Sequence, residues 1–219
     1  MLRTLTLALL LSTLPAYGQD TGGPDSGPVS LAELAAAADL VVLAQARDTD
    51  YFMRRDIPVS GSAYLKVLIP YKATDPLDII EVYEKGLHPN ECYFPNPTVF
   101  EEGRRYLLFL NKDPEDETRY RGLAQGCALD VLVNDQNRYA LRYPVNGITL
   151  SDPLNALARE MTFSDGYAIV DEDDLLPADR DAMREAGDIV PHTAGQWMYT
   201  RGIPLGEVRP LMGTENLSR

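Results

Sequence analysis

The chain has 219 residues, of which 33 are acidic and 20 are basic, so its formal net charge is −13. Apolar residues make up 45% of the chain and only 16 residues are glycine, which excludes a disordered or a collagen-like protein. A protein this acidic repels the phosphates of nucleic acid, so we expect no nucleic-acid partner. The length accommodates one domain of ordinary size, or one domain with an appendage.

Residues 1–18 have the pattern of a secretory signal peptide. Arg3 supplies a positive start, Leu5 to Leu11 form an apolar core, and small residues, Ala16 and Gly18, precede a cleavage site. The apolar run is shorter than the roughly 20 residues that a membrane-spanning helix needs. We therefore expect cleavage after Gly18, a mature protein without a membrane span, and a periplasmic or secreted location.

Cys92 and Cys127 are the only cysteines in the sequence. An even number of cysteines in an exported protein indicates a disulfide, and two cysteines allow a single pairing. A cysteine nucleophile would need a nearby base, and the sequence offers only His88 and His192. A zinc site would need three or four closely spaced ligands, a pattern the sequence lacks. We expect a structural disulfide, no metal and no cofactor.

The predicted elements begin after a leader rich in glycine and proline, residues 19–29. Ser30 and Glu33 form a capping box, which predicts a short helix from Leu31 to Ala38. Alternating or β-branched apolar runs then predict five or six strands. These runs cover residues 40–47, 62–69, 78–84, 104–111, 120–133 and 139–145. Within the run at 104–111, residues 106–110 are all apolar, which predicts burial on both faces. One helix followed by such strands indicates an all-β barrel or sandwich.

The composition changes after Gly147. Asp152 followed by Pro153 predicts a helix that continues to Met161, and Pro177 opens a second helix that stops before Gly187. Acidic residues dominate this part of the chain, and residues 192–219 have few apolar positions and no clear period. We therefore expect residues 147–219 to form an acidic helical or irregular extension with a loosely packed tail.

Three segments and the two cysteines occur in an order that can be compared with known protein families. They are Ala38 to Val42 (ADLVV), Ala63 to Tyr71, and Phe100 to Leu110 (FEEGRRYLLFL), the last lying between Cys92 and Cys127. This order resembles the netrin-like domain, the module of the tissue inhibitors of metalloproteinases that also occurs in exported bacterial proteins. The resemblance implies an OB-like barrel of five to six strands over residues 30–146.

The resemblance does not extend to the inhibitory chemistry of that family. In those inhibitors the mature N-terminus is a cysteine whose amine and carbonyl chelate the zinc of the protease. The predicted mature N-terminus here is Gln19, which starts the leader. Protease inhibition would therefore have to use another surface.

Tyrosine is frequent, with 12 residues. OB folds bind partners on a strand face and its adjoining loops, so we take Tyr64, Tyr71, Tyr83 and Tyr106 as a candidate binding face. We find no complete catalytic motif. The leading hypothesis is therefore a non-enzymatic binding module with a protein or polysaccharide partner.

Two other functions remain open at this point. One is a hydrolase in which His192 acts with carboxylates of the acidic segment. The other is a protease inhibitor that uses a different surface. The acidic run from Asp171 to Asp181 does not match a calcium-binding EF-hand loop, because Leu176 and Ala182 stand where glycine and glutamate are required.

Overall fold

The computed structural model describes residues 27–55, 57–85 and 100–213. The predicted signal peptide, most of the predicted leader, His88 and Cys92 lie outside these ranges.

The predicted mainly β class is confirmed, because strands make up 49% and helices 19% of the described residues. The helices are short: α1 spans Leu31–Ala37, α2 Pro177–Ala186 and α3 Leu205–Leu211. None of the helices in these ranges combines the length and the apolar character that crossing a membrane requires.

Within the described chain, nine strands form one sheet and three form a smaller sheet. The nine are β1 Leu40–Arg54, β2 Ile57–Lys72, β3 Ile79–Glu84, β4 Arg105–Asp113, β5 Asp116–Gly122, β6 Ala128–Val133, β7 Tyr139–Tyr143, β8 Arg159–Glu160 and β12 Arg201–Pro204. The three are β9 Ile169–Asp171, β10 Ile189–Pro191 and β11 Gln196–Tyr199. The six predicted strands all overlap β1 to β7.

Five strands of the large sheet form a ring. β1 pairs with β2 on one side and with β4 on the other, β2 pairs with β3, and β4 pairs with β5, all antiparallel. β3 meets β5 in one parallel pair, Val82 with Tyr120, which completes the circuit. A Cβ at Gly61 would lie 2.3 Å from the carbonyl oxygen of Asp50, so only glycine lets β2 approach β1 this closely.

β1 and β4 bury side chains on both faces, as predicted for residues 104–111. Alternate residues belong to two apolar clusters, because successive side chains of a strand point to opposite sides. The cluster inside the ring includes Leu40, Val42, Ala44, Leu108 and Leu110. The cluster on the outside includes Val41, Leu43, Leu107 and Phe109, together with Leu31 and Leu34 of α1 and Val208 of α3.

The capping box of α1 is confirmed. The hydroxyl oxygen of Ser30 accepts a hydrogen bond from the N–H of Glu33 at 3.2 Å, and a carboxylate oxygen of Glu33 accepts one from the N–H of Ser30 at 2.8 Å. A second carboxylate completes the cap, since Asp152 accepts a hydrogen bond from the N–H of Leu31 at 2.8 Å. Three of the free N–H groups at the start of α1 therefore have partners.

The prediction of a helix from Pro153 to Met161 is wrong. The chain forms a single 3-10 turn at Leu154–Ala156 and then enters β8. Asp152, the expected cap of that helix, instead caps α1. The helix predicted from Pro177 is confirmed as α2, and Gly187 ends it in the left-handed conformation with φ of 75°.

The predicted segment at 120–133 is two strands rather than one. β5 ends at Gly122 and β6 begins at Ala128. Between them the N–H of Gly126 donates a hydrogen bond to the carbonyl of Leu123 at 3.0 Å, and Gly126 has φ of 115°. Glycine adopts such a backbone conformation without steric cost, so the chain turns here.

The chain after Gly147 continues the large sheet. β12 pairs with β7, from Arg201 opposite Tyr143 to Pro204 opposite Ala140, and β8 pairs with β12. Ile203 and Val208 are fully buried in the cluster that includes α1. The expectation of a loosely packed tail is therefore wrong for the residues described up to 213. Strands of three or four residues are too short to produce a visible hydrophobic period.

Candidate binding surface

The hairpin of β1 and β2 extends beyond the ring. β1 pairs with β4 only up to Gln45, and β2 pairs with β3 only from Gly61 onward. Among the described residues, 47–55 form strand pairs only with β2, and 57–60 form strand pairs only with β1. We call this two-stranded projection the arm.

Large apolar side chains are exposed at the end of the arm. Phe52 is 66% exposed, Met53 48% and Val59 42%. An isolated hairpin has no core of its own, so packing within the arm does not account for these side chains. Contiguous exposed apolar residues mark interaction sites on soluble proteins.

Tyr64 and Tyr83 lie on one side of β2 and β3. Tyr64 is directly opposite Glu81, and Ser62 is directly opposite Tyr83. Opposed residues share a face, and every second residue of a strand points the same way. The hydroxyl of Ser62 donates a hydrogen bond to the carboxylate of Glu81 at 2.6 Å, which ties the two strands together on this side.

Phe52 shares that side with the two tyrosines. The register of β1 and β2 is regular from Asp48 opposite Tyr64 to Phe52 opposite Ser60. The alternating residue Ala63 points the other way, into the cluster inside the ring. We call the side that carries Phe52, Tyr64 and Tyr83 the outer face. It is continuous with the arm.

The other two tyrosines of the predicted face are buried in different places. Tyr71 is 9% exposed and belongs to the cluster beneath α1. Tyr106 is 1% exposed inside the ring, where its hydroxyl oxygen accepts a hydrogen bond from the N–H of Glu101 at 3.1 Å. Burial raises the pKa of both hydroxyls. The structure therefore brings together two of the four tyrosines, and the sequence analysis missed the exposed Phe52 and Met53.

Two arginines of β5 hold the ring of Tyr83. The guanidinium carbon of Arg119 lies 3.8 Å from the centre of the ring, and that of Arg121 lies 5.4 Å from it. Both arginines pair with the fully buried Asp113, at 2.6 Å and 3.0 Å. Because Asp113 orients both guanidiniums, it also fixes Tyr83 on the outer face.

Replacing Asp113 with asparagine should destabilise the protein more at pH 7 than in acid. Desolvation raises the pKa of Asp113, but the N–H of Glu115 and the guanidiniums of Arg119 and Arg121 outweigh it and hold the pKa below its ordinary value. The carboxylate therefore contributes stability above the unfolded-state pKa of about 3.9, and that contribution is lost as the pH falls through the lower folded-state pKa. Urea unfolding at pH 7 and about pH 3 measures the effect. Equal destabilisation at the two pH values would contradict this assignment.

His192 is exposed and does not meet the carboxylates of the acidic segment. Its backbone N–H donates a hydrogen bond to the carbonyl of Gln196 at 2.9 Å. Its imidazole makes no hydrogen bond or ion pair with any residue the structure describes. Among all the residues that the structure describes, no group of three or more His, Cys, Asp or Glu side chains is arranged to hold a metal ion. Within the described residues, therefore, no side chain orients His192 as a base.

Cys127 is 2% exposed, and it is not a free thiol. It lies immediately before β6, where its carbonyl accepts a hydrogen bond from the N–H of Phe109 at 2.8 Å. Its predicted partner, Cys92, is outside the described residues, so the pairing stays a prediction.

Reduction of the unfolded protein is expected to raise its intact mass by two hydrogen atoms. It should also lower stability by roughly 3–4 kcal/mol, because the bond would close a loop of about 35 residues. Mass spectrometry and urea unfolding with and without reductant measure the two effects. An unchanged mass would show that the cysteines are unpaired.

No protein-family model matches the chain, and no curated protein is significantly similar to it. The netrin-like resemblance therefore rests on the motifs of the sequence.

Proposed function

We propose that the mature protein is an exported, non-enzymatic binding module that holds a protein partner on its arm and outer face. Its scaffold would be an OB-like barrel of the netrin-like kind. The observation that carries the proposal is the exposure of Phe52, Met53 and Val59 at the end of a hairpin that no other strand covers in the described chain.

The order of strands in the ring supports the OB-like assignment. Around the ring, β1 is followed by β2, β3, β5 and β4, and β4 returns to β1. The OB fold is a five-stranded Greek-key barrel that binds through the face of its second and third strands and the neighbouring loops. The outer face lies on β2 and β3, and the arm is the β1–β2 connection, so both parts of the proposed surface fall where that fold binds its ligands.

The chemistry of the arm favours a protein over a polysaccharide. A sugar chain presents many hydroxyl groups, which Phe52, Met53 and Val59 cannot hydrogen-bond. Aromatic residues and methionine are enriched in protein–protein interfaces. Methionine also adapts its shape to irregular apolar surfaces. Protease inhibition without an N-terminal cysteine is the special case in which the partner is a protease.

Affinity capture tests the proposal. The mature protein, starting at Gln19 and tagged at its C-terminus, is incubated with the exported fraction of the cells that produce it. We expect the wild type and the His192→Ala variant to capture the same protein. Glycosidase treatment of the fraction should not reduce that capture. A bound polysaccharide, or a hydrolytic activity that is lost on His192→Ala, would contradict the proposal.

A further inference from the structure

A groove lies on the acidic part of the chain, away from the arm. It consists of two adjoining cavities, which we call the outer cavity, of about 690 Å³, and the inner cavity, of about 620 Å³. Four residues line both cavities and so join them: Asn146, Asp174, Leu175 and Tyr199. One wall is the loop that follows β7, and the other runs from the segment before β9 to α2. The volumes are those of cavities that take small ligands or peptide side chains.

The surface of the groove is apolar at several points. Val145, Leu175, Met183 and Tyr199 line the outer cavity, and Ile169 and Val170 line the inner one. Leu176, at the edge of the outer cavity, is 70% exposed. If Leu176 covered an apolar group bound in the groove, its exposed apolar surface would be removed from water, which is favourable.

Carboxylates outnumber bases around the groove. The outer cavity is lined by Asp173, Asp174 and Asp179, and none of its lining residues is basic. Asp173 and Asp179 make no ion pair or hydrogen bond through their side chains with any residue the structure describes. Two exposed carboxylates without a cationic partner favour a positively charged ligand.

The arginines of the inner cavity do not cancel this charge. Arg104 pairs with Glu101, and Arg142 pairs with Asp130 at 2.8 Å, so both guanidiniums are neutralised within the protein. Arg142 is 9% exposed, and its Nε has no hydrogen-bond partner in the described chain.

We propose that the groove binds a cationic peptide segment in which an apolar side chain stands between lysine or arginine residues. The apolar side chain enters between Leu175, Leu176 and Met183. The basic residues lie against Asp173 and Asp179. This site is separate from the arm, so its occupant need not be the partner of the arm.

Fluorescence anisotropy with a labelled peptide tests the proposal. The probe carries one leucine flanked by lysines, and two comparison peptides replace the leucine with serine or the lysines with glutamate. We expect the first probe to bind most tightly, and its affinity to fall as salt rises because exposed charges are screened. The glutamate peptide should not bind. Equal binding of the leucine and serine probes would overturn the apolar part of the proposal.

Two matched double variants locate the binding. Asp173→Asn with Asp179→Asn should weaken binding roughly tenfold, because the variant loses two charge pairs with the peptide. Asp135→Asn with Glu160→Gln makes the same change in charge at exposed positions that line neither the groove nor the arm, and should leave the affinity unchanged. An equal loss of affinity in both double variants would mean that overall charge, and not this site, determines binding, and would overturn the proposal. An unchanged affinity in the first variant, or no binding by the wild type, would overturn it as well.

Discussion

Replacing Phe52 and Met53 with serine is expected to weaken partner binding roughly 30-fold or more, because truncation of a central interface residue costs at least about 2 kcal/mol. Both side chains are largely exposed in the free protein, so the melting temperature should stay nearly unchanged. Titration of the captured partner by surface plasmon resonance measures the affinity, and calorimetry measures the melting temperature.

Val190 offers a matched control for this experiment. It is 38% exposed on β10, in the smaller sheet, and lies on neither the arm nor the outer face. Val190→Ser removes a similar exposed apolar side chain and should leave the affinity unchanged. If this variant lost as much affinity as the arm variant, binding would reflect general surface hydrophobicity rather than the arm.

Replacing Asp130 with alanine is expected to destabilise the protein by about 3–5 kcal/mol, the usual cost of removing one partner of a buried ion pair. A carboxylate oxygen of Asp130 lies 2.8 Å from Nη1 of Arg142 and 3.8 Å from Nη1 of Arg104. Desolvation lowers the pKa of Arg142, but Asp130, Tyr199 and Tyr106 together outweigh it and hold the pKa above its ordinary value. The variant would therefore leave a charged guanidinium buried without its carboxylate.

The loss should extend beyond the ion pair, because Arg142 of β7 also contacts the smaller sheet and Arg104 contacts the 3-10 turn that precedes β9. The guanidinium carbon of Arg142 lies 5.0 Å from the ring centre of Tyr199 in β11, and that of Arg104 lies 5.1 Å from the ring centre of Tyr167. Urea unfolding of Asp130→Ala measures the change in free energy.

A surface ion pair provides the comparison. Glu115 is 58% exposed and lies 3.4 Å from both Lys85 and Arg121. Glu115→Ala should change the free energy of unfolding by about 1 kcal/mol or less, because water screens exposed pairs. Similar losses in the two variants would mean that the burial of Arg142 does not set the contribution of its ion pair with Asp130.

Local signals in the sequence predict the elements that depend on neighbouring residues. Ser30 and Glu33 predict α1, Pro177 and Gly187 predict α2, and the unbroken apolar run before Asn111 predicts a strand buried on both faces. In each case the groups that decide the structure lie within a few residues of one another. The mainly β class follows from the same local patterns.

The incorrect predictions occur where residues that are distant in the sequence determine the local structure. The sequence around Asp152 favours a helix cap, but the carboxylate caps α1 instead, 121 residues away in the chain. Gly202 approaches the carbonyl of Leu141 so closely that a Cβ would lie 3.0 Å from it, and this contact places β12 on the sheet. Neither pairing leaves a pattern in the sequence near the residue concerned.

The candidate surface was predictable only in part for the same reason. In the structure, Tyr64 and Tyr83 lie on one side of β2 and β3. Alternation cannot show that a second layer covers Tyr71 or that Tyr106 points into the ring. The arm was missed because the polar residues from Arg47 to Asp50 interrupt the apolar pattern of β1, although the strand continues to Arg54.

Photocrosslinking at position 52 shows whether the arm touches the partner. A photoreactive benzoylphenylalanine replaces Phe52 in one protein and Val190 in another, and each is irradiated in the exported fraction. We predict one crosslinked protein from position 52 and none from position 190. No crosslink at position 52, or the same products from both positions, would contradict the claim that the arm holds the partner.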